Sequence, residues 1–479
     1  MKPIELAERL GRWSSGRGPL HVLLAARLRR LIDEGEVVPG APLPPDRALA
    51  LTLAVGRSTV VAAYDLLRQD GRIVRRQGSG TRVAGDGFAG PEPPGVRQTT
   101  GAPIFLNLLE PRDGVIPLAC AAPDRPPPEV GEAYARVAAA LACAAGDIGY
   151  HPAGHPAARR AIAGHYARRG ISTGPERILV TNGGQQALSL LARALLATGD
   201  RVLVEGPTYP GALEAFREQA AVPRSLPAGL GGLAAAACEH RAALAYVIST
   251  FHNPTGSVLS ALARQALVRD AATAGLPLID DEVLSDLAFP GATVPPPLAA
   301  YDDAVISVGS LSKSVWGGLR LGWVRAPEPL IARLARLLAV HDLGGNVPVQ
   351  LVAADLLPRL DSLTAREAAG RQARHDHLRA ELARRLPGWD GPAVSGGQTL
   401  WVRLPYGDGT SFAQTALRHG VAVLAGSGLD ASGQHQDHLR LHFMAARDDL
   451  TEAVRRLAEA WRHYRPPPSP VTSPPAMSV

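Results

Sequence analysis

The chain has 479 residues, more than one ordinary domain uses, and length alone suggests roughly three domains. An apolar fraction of 46% with 20% charged residues describes a globular chain with a sizeable core, and no apolar run of about eighteen residues marks a transmembrane helix. Its net charge of +6 is localised: residues 1–83 hold 14 Lys+Arg against 8 Asp+Glu, and the remainder holds 36 of each. A basic N-terminal module on a neutral body points to a polyanion partner for that module. Met1-Lys2-Pro3-Ile4-Glu5 lacks the apolar core of a signal peptide. Cys120, Cys143 and Cys238 are odd in number and lack metal-ligand spacing, so they are expected as small buried residues in a reducing cytoplasm, with no metal site.

Leu20, Leu24, Leu28 and Leu31 recur at helical spacing within Pro19–Ile32, which ends near Gly35. After the Pro-rich turn Val38–Pro45, a short helix is predicted over Asp46–Leu53, then a turn at Ala54-Val55-Gly56 and a helix from Arg57 to about Gln69. Strands at Arg72–Val74 and Thr81–Val83 flank Arg75-Arg76-Gln77-Gly78-Ser79-Gly80 as a hairpin. Helix, helix, turn, helix, hairpin is the order of a winged helix-turn-helix, whose second helix presents its first residues to major-groove base edges. A winged helix used only for protein contacts would show the same order.

The residues Leu43-Pro44-Pro45-Asp46-Arg47-Ala48-Leu49-Ala50, Val55-Gly56-Arg57-Ser58-Thr59-Val60, Tyr64, Leu67, Gly71 and Gln77-Gly78-Ser79-Gly80-Thr81-Arg82-Val83 resemble the GntR-type DNA-binding domain. That resemblance implies a double-stranded DNA operator as partner and places Arg47, Arg57, Ser58, Thr59, Gln77 and Gly78 at the DNA. Gly56 stands where the family often has Ser, and Gly also serves a helix N-cap.

Residues 84–115 lack periodicity and contain Pro91-Glu92-Pro93-Pro94-Gly95. They read as a tether that spans roughly 30 Å as a flexible coil. From Ile116, strand-like and helical segments alternate as in a doubly wound α/β sheet. Several strands end on polar or glycine residues: Thr181-Asn182-Gly183-Gly184, Gly206-Pro207-Thr208-Tyr209, Phe251-His252-Asn253-Pro254 and Asp280-Asp281-Glu282. The next delivers Gly309-Ser310-Leu311-Ser312-Lys313. A glycine turn opening a helix is an anion cup, although any tight turn looks alike. Tyr209 could stack on a planar ring or pack as core. Together the five strand ends point to one ligand site at the carboxyl edge of a sheet.

Lys313 stands out because the chain has only two lysines, Lys2 and Lys313, beside 48 arginines. Guanidinium stays protonated and cannot condense with an aldehyde, so Lys313 is the internal position where a primary amine was required. Ser310, Ser312 and Arg320 nearby suit a phosphate, which makes this the kind of segment pyridoxal 5′-phosphate (PLP) needs. Taken alone, the segment also reads as a surface lysine in a Gly/Ser turn.

Over roughly residues 116–464 these motifs resemble a fold type I PLP enzyme of the class I/II aminotransferase kind, with a large α/β domain and a small C-terminal domain. By that resemblance Gly183, Gly184, Gln185, Ser310, Ser312 and Arg320 hold the phosphate. Tyr209 stacks on the ring, Asn253 bonds its O3′ oxygen, Asp281 pairs with the pyridinium nitrogen and Lys313 forms the internal aldimine. Arg440, in Leu439-Arg440-Leu441-His442-Phe443, receives a substrate carboxylate, although a strand arginine at the surface would look the same. The chain departs from the pattern at Leu284, where a tyrosine is common, at Gly317 and at His442. Helices around residues 328–388 are expected as solvated amphipathic helices of the smaller domain, and residues 465–479 as a disordered Pro-rich tail.

A GntR-like winged helix joined to such a body resembles the MocR group of bacterial regulators. The resemblance implies a PLP-binding, cytoplasmic transcription regulator and head-to-tail homodimer. It would sense PLP, or a small amine or amino acid effector through an external aldimine, with Tyr150 reaching the partner's phosphate. An active aminotransferase with an accessory DNA-binding domain is the alternative. A structural DNA-bridging protein would not need the internal lysine.

Overall fold

Short strands whose side chains alternate between two apolar layers form the centre of this protein. The computed structural model describes residues 3–11, 13–14, 20–33, 36–38, 40–69, 72–76, 80–83, 114–142 and 146–466. They fall in two units, Met1–Thr100 and Gly101–Val479. Gln77, Gly78, Cys143, most of the proposed tether and residues 467–479 lie outside the described residues.

In the first unit, helices Pro3–Leu10, Leu20–Asp33, Asp46–Thr52 and Arg57–Gln69 enclose one core that includes Leu6, Leu24, Leu28, Leu49, Val60 and Leu67. The sequence reading missed the first of these helices. The turn between the last two is closed by Ala54 in the left-handed region (φ 52), with Val55 N donating to Ala50 O at 3.0 Å. Tyr64 donates its buried hydroxyl to Pro44 O at 2.9 Å and so fixes the Pro-rich turn against the helix. Strands β1 (Pro42–Leu43), β2 (Ile73–Arg76) and β3 (Gly80–Val83) form an antiparallel sheet in the order β1-β3-β2. The wing therefore has one strand more than the expected hairpin.

The second unit opens on β4 (Ile116–Pro117). The central sheet follows: β5 (Ile178–Thr181), β6 (Arg201–Glu205), β7 (Val222–Leu226), β8 (Ala242–Val247), β9 (Leu278–Asp281), β10 (Ile306–Ser310) and β11 (Gly322–Arg325). Their order is β5-β11-β10-β9-β8-β6-β7, with only β11 antiparallel to its neighbours. Apart from the edge strand β7, the strands are largely buried on both faces, as helices covering a mainly parallel sheet require. Alternation sends Val180, Leu203, Ala245 and Leu278 to one layer and Leu179, Val204, Tyr246 and Ile279 to the other.

The helices at 328–356 depart from expectation. Helix Glu328–Asp342 packs Ile331, Leu334 and Leu338 against the second layer, and Val347–Leu356 packs Val352, Ala353 and Leu356 into the first. Both cover the large sheet and so do not belong to the smaller domain. Their apolar stripes gave the period but not the partner surface. Only Leu360–Arg385 runs on, from Leu360 and Leu363 in the first layer to Leu378 and Leu382 in the core of the smaller domain. The cysteines also differ: Cys120 is half-buried and Cys238 is exposed on a helix, both as free thiols.

The smaller domain sets β12 (Thr399–Arg403), β14 (Leu424–Ala425) and β15 (His438–His442) in the order β12-β15-β14, with β13 (Val421–Ala422) parallel to β4. His442, at the end of β15, is buried and neutral, its Nε2 donating to Pro117 O and its Nδ1 accepting from Met444 N at 3.0 Å. Burial pulls its pKa down to about 4. The unfolded imidazole takes a proton below about 6.5, so its contribution is full above that pH and is lost as pH falls towards 4. The linked change is about 3 kcal/mol. Denaturant titrations at pH 7 and 4.5 should show His442→Gln losing less stability on acidification than wild type; equal losses would refute the linkage. Buried carboxyls with raised pKa values act in the opposite sense in both proteins, so the difference isolates the histidine.

Candidate functional site

In the first unit, the residues expected at DNA gather at two helix N-termini. Arg47 is the second residue of Asp46–Thr52, and Arg57, Ser58 and Thr59 open Arg57–Gln69. Arg47, Arg57 and Ser58 are exposed and Thr59 is half-exposed. Arg57 Nη2 lies 3.5 Å from the buried Asp46 carboxylate, which ties the two helix starts while leaving 56% of the Arg57 side chain accessible.

In the second unit, a cavity of about 150 Å³ is lined by Gly184, Gln185, Tyr209, Asn253, Asp281, Ser310, Ser312, Lys313 and Arg320. Leu188, Ile248, Val283 and Leu284 complete its apolar wall. Residues from six chain segments therefore converge at the carboxyl edge of the sheet, as its topology favours.

One end of the cavity is built for an anion. Gly183 caps helix Gly184–Leu195 with φ 96, so the first N–H groups of the helix are free of the preceding chain. A Cβ at Gly183 would lie 3.0 Å from Arg320 Nη2, and one at Gly322 would lie 2.7 Å from the Gly183 carbonyl carbon. Arg320 adopts the left-handed region (φ 48) and donates to Asn182 O at 2.7 Å, which holds the guanidinium at this turn. Ser310 Oγ donates to Leu321 O at 2.9 Å and accepts from Ser312 N at 3.1 Å, placing both hydroxyls beside it. The Gln185 side chain is engaged elsewhere: its Oε1 accepts from the Tyr209 hydroxyl at 3.1 Å and its Nε2 donates to Gly211 O at 2.8 Å. Gln185 thus steadies Tyr209, and one N–H of its side-chain amide is committed to Gly211.

Three acids end β9 and its turn, and they diverge. Asp280 faces the other layer, accepting from Ser249 N at 3.4 Å and Leu298 N at 3.3 Å. Glu282 pairs with Arg169 at 2.8 Å. Only Asp281 lines the cavity. Its Oδ2 accepts from the Tyr246 hydroxyl at 2.6 Å and its Oδ1 from Val283 N at 3.1 Å. Burial pushes the Asp281 carboxyl up to about 6, while the Tyr246 hydroxyl resists that rise. Tyr246, on the neighbouring strand, was not singled out in the sequence: it sits in the apolar run Ala245-Tyr246-Val247, and only strand adjacency brings it to Asp281.

The Lys313 ammonium donates to Ala121 O. Burial lowers its pKa, with the Cys120 thiol opposing and the Arg440 and Arg320 charges assisting. Arg440, 6% exposed, donates to Asn253 Oδ1 at 3.1 Å and to Ala119 O, and its Nε has no partner. With Oδ1 so engaged, Asn253 presents its amide N–H groups. Arg440 keeps N–H donors beyond those two bonds, and burial lowers its pKa only to about 10. The structure therefore brings together all the expected body residues, and the segment Ala119-Cys120-Ala121 joins them unforeseen.

These groups fit PLP: an anion cup walled by glycines, an aromatic face, a carboxylate held at depth and a lysine. The arrangement defines the class as a fold type I PLP-dependent body. Residues 115–459 match the family Aminotransferase class I and II, and residues 22–83 match Bacterial regulatory proteins, gntR family. The chain is 30% identical to the HTH-type transcriptional regulator YisV of Bacillus subtilis, over 95% of this chain and 99% of that protein. It is 31% identical to the probable rhizopine catabolism regulatory protein MocR of Rhizobium meliloti, over 67% and 68% of the two chains. The crystal structure of LysN, the alpha-aminoadipate aminotransferase of Thermus thermophilus complexed with N-(5′-phosphopyridoxyl)-L-leucine, superposes with a TM-score of 0.68. Its identity is 28%, over 75% of this chain and 94% of that one. The chain belongs to the aminotransferase class I and II family and, with its gntR domain, to the MocR-type transcriptional regulators.

Tyr246→Phe removes one of two donors to Asp281, and a hydrogen bond to a charged group is worth about 1.5–3 kcal/mol. Apparent PLP affinity should fall roughly tenfold, with the carboxyl titrating higher than in wild type. Cofactor titration of the apoprotein followed by absorbance checks this; unchanged affinity would mean that Val283 N alone orients Asp281.

Proposed function

We propose that this protein is a PLP-dependent transcriptional regulator that recognises an operator through its winged helix and senses an amine or amino acid at Lys313. Bound at the site, PLP supplies an aldehyde for an amine to condense with and an electron-withdrawing ring. The Gly183–Gln185 turn, Ser310, Ser312 and Arg320 would hold its phosphate, Tyr209 would cover the ring, and Asp281 would keep the ring nitrogen protonated. Lys313, its pKa lowered, would yield its place to the amine of the ligand, whose carboxylate Arg440 would receive.

One observation carries the regulatory reading: among the described residues lining the cavity, no phenol is left for the ring oxygen. Leu284 gives the cavity wall an alkyl group, the Tyr209 hydroxyl bonds Gln185, and the Tyr246 hydroxyl bonds Asp281. Asn253 is left as the donor to O3′, which suits holding an amine better than rapid turnover. A working aminotransferase is the second reading, favoured by the otherwise complete pocket. Either protein would act as a head-to-tail homodimer, in which Tyr150, exposed in the single chain, would reach a partner's site. An effector can shift such a switch only by binding its two arrangements unequally.

Visible-absorbance titration of the PLP-loaded protein with amines separates the readings. A stable new band with one ligand supports a sensor; continuous conversion reversed by a keto acid means an aminotransferase. Lys313→Ala should lose the lysine-bound band altogether, and its persistence would refute the lysine assignment. In the head, Arg57→Ala should weaken operator binding by about 1–3 kcal/mol. The 3.5 Å pair it breaks is largely solvent-exposed at the arginine, so folding should change little. Unchanged operator affinity in a mobility-shift or anisotropy titration would argue against reading by this helix.

A further inference from the structure

Lys313 also lines a second, larger space. A groove of about 770 Å³ runs between the 123–129 segment, the lysine loop and helix Leu360–Arg385, and neither Asp281 nor Arg440 is in its wall. Its unpartnered polar atoms are mainly donors. Arg371 is 3% exposed and spends Nη2 on Thr364 O at 3.0 Å and Ala288 O at 3.4 Å, leaving Nε with no partner. No carboxylate lies within ion-pair distance of it among the described residues. Arg374, one turn on, makes no hydrogen bond or ion pair among the described residues, and its Nε is buried. Ser314 Oγ, beside Lys313, is likewise buried without a partner. The acids of the wall are Asp124, Glu129 and Glu367; Glu129 pairs through Oε1 with Arg366 at 2.6 Å, and its Oε2 is the one buried acceptor there without a partner among the described residues.

A buried guanidinium without a counter-ion is costly, and a second one beside it raises the cost. Burial, opposed by the more distant Glu367 and Asp286 charges and assisted by Arg374, lowers the Arg371 pKa only to about 10, so the charge persists at neutral pH. An entering anion would relieve both charges through charge-assisted hydrogen bonds.

We propose that this groove binds the acidic end of the effector, so that the amines this protein takes carry a carboxylate, sulfonate or phosphonate remote from the reacting amino group. The amine half of this assignment rests on the sensing reading above; the acid half rests on the groove alone. Arg440 and the Arg371–Arg374 pair are then separate anion sites, one beside Asn253 and one across the lysine loop.

The test uses full-length, PLP-loaded protein and two kinds of probe. Glutarate has no amine, so its calorimetric binding involves no chemistry at Lys313, and the part of it that depends on Arg374 reads the groove. L-2-aminoadipate and L-norleucine have equal carbon counts and differ in the terminal acid, so their absorbance titrations read both halves together. Arg374→Gln removes a side chain that makes no bond among the described residues, and should not lower the melting temperature or change the cofactor band. It should weaken glutarate binding ~10-fold and abolish a similar wild-type preference for aminoadipate over norleucine. Arg371→Gln should act in the same direction. Glutarate that does not bind, or binds wild type and Arg374→Gln equally, overturns the groove assignment whatever the amines do. So does equal wild-type affinity for the two amines. Glutarate binding that depends on Arg374, with no absorbance response to any amine, would uphold the groove and sink the amine-sensing reading.

Discussion

A carboxylate held where burial works against its charge is the constraint on which the site depends. Asp281 closes a strand at the centre of the sheet and is pushed up to about 6 by its surroundings. Two donors keep it oriented, one from the next strand and one from its own turn. The first exists only because β8 and β9 run parallel in the observed register. The sheet thus does more than carry loops, because its pairing sets the electrostatics of the pocket. A groove for a neutral ligand would need no such arrangement.

Around this carboxylate, each part of the pocket has its geometry set by a different kind of force. The glycine turn is steric: side chains at Gly183 or Gly322 would fill the space against Arg320 and the turn backbone. The ring face is held by hydrogen bonding, through Gln185 and Tyr209. The lysine answers to desolvation, which lowers its pKa while Asp281 and the Cys120 thiol pull the other way.

Much of this was legible in the sequence because the relevant signals are local. Strand ends rich in Gly, Asn and Asp, and one lysine among 48 arginines, mark where chemistry sits without any knowledge of packing. The helix-turn-helix order was legible for the same reason: its turn, Ala54-Val55-Gly56, is short and its helices have clear apolar periods. What was hidden is contact across the chain. Which of Asp280, Asp281 and Glu282 faces the cavity follows from alternation once the neighbouring layers are known. Tyr246 reads as core until β8 lies beside β9. The helices at 328–356 showed their period but not the surface they cover, and so were assigned to the smaller domain instead of the large sheet. Cys120 and Ala121 carried no signal at all, since the second contributes only a backbone carbonyl.

That last segment has a mechanical consequence. Gly114 O is held by Arg456, β4 is zipped to β13, Leu118 bonds Ala422 and His442, and Ala119 and Ala121 accept from Arg440 and Lys313. From Gly114 to Ala121 the chain is one taut thread, fastened at one end to the smaller domain and at the other to the reactive amine. The residues preceding Gly114 in sequence run to the winged helix. Unfastening Lys313 from Ala121 therefore frees only the far end of the thread, because Ala119, Leu118, β4 and Gly114 each keep an anchor of their own.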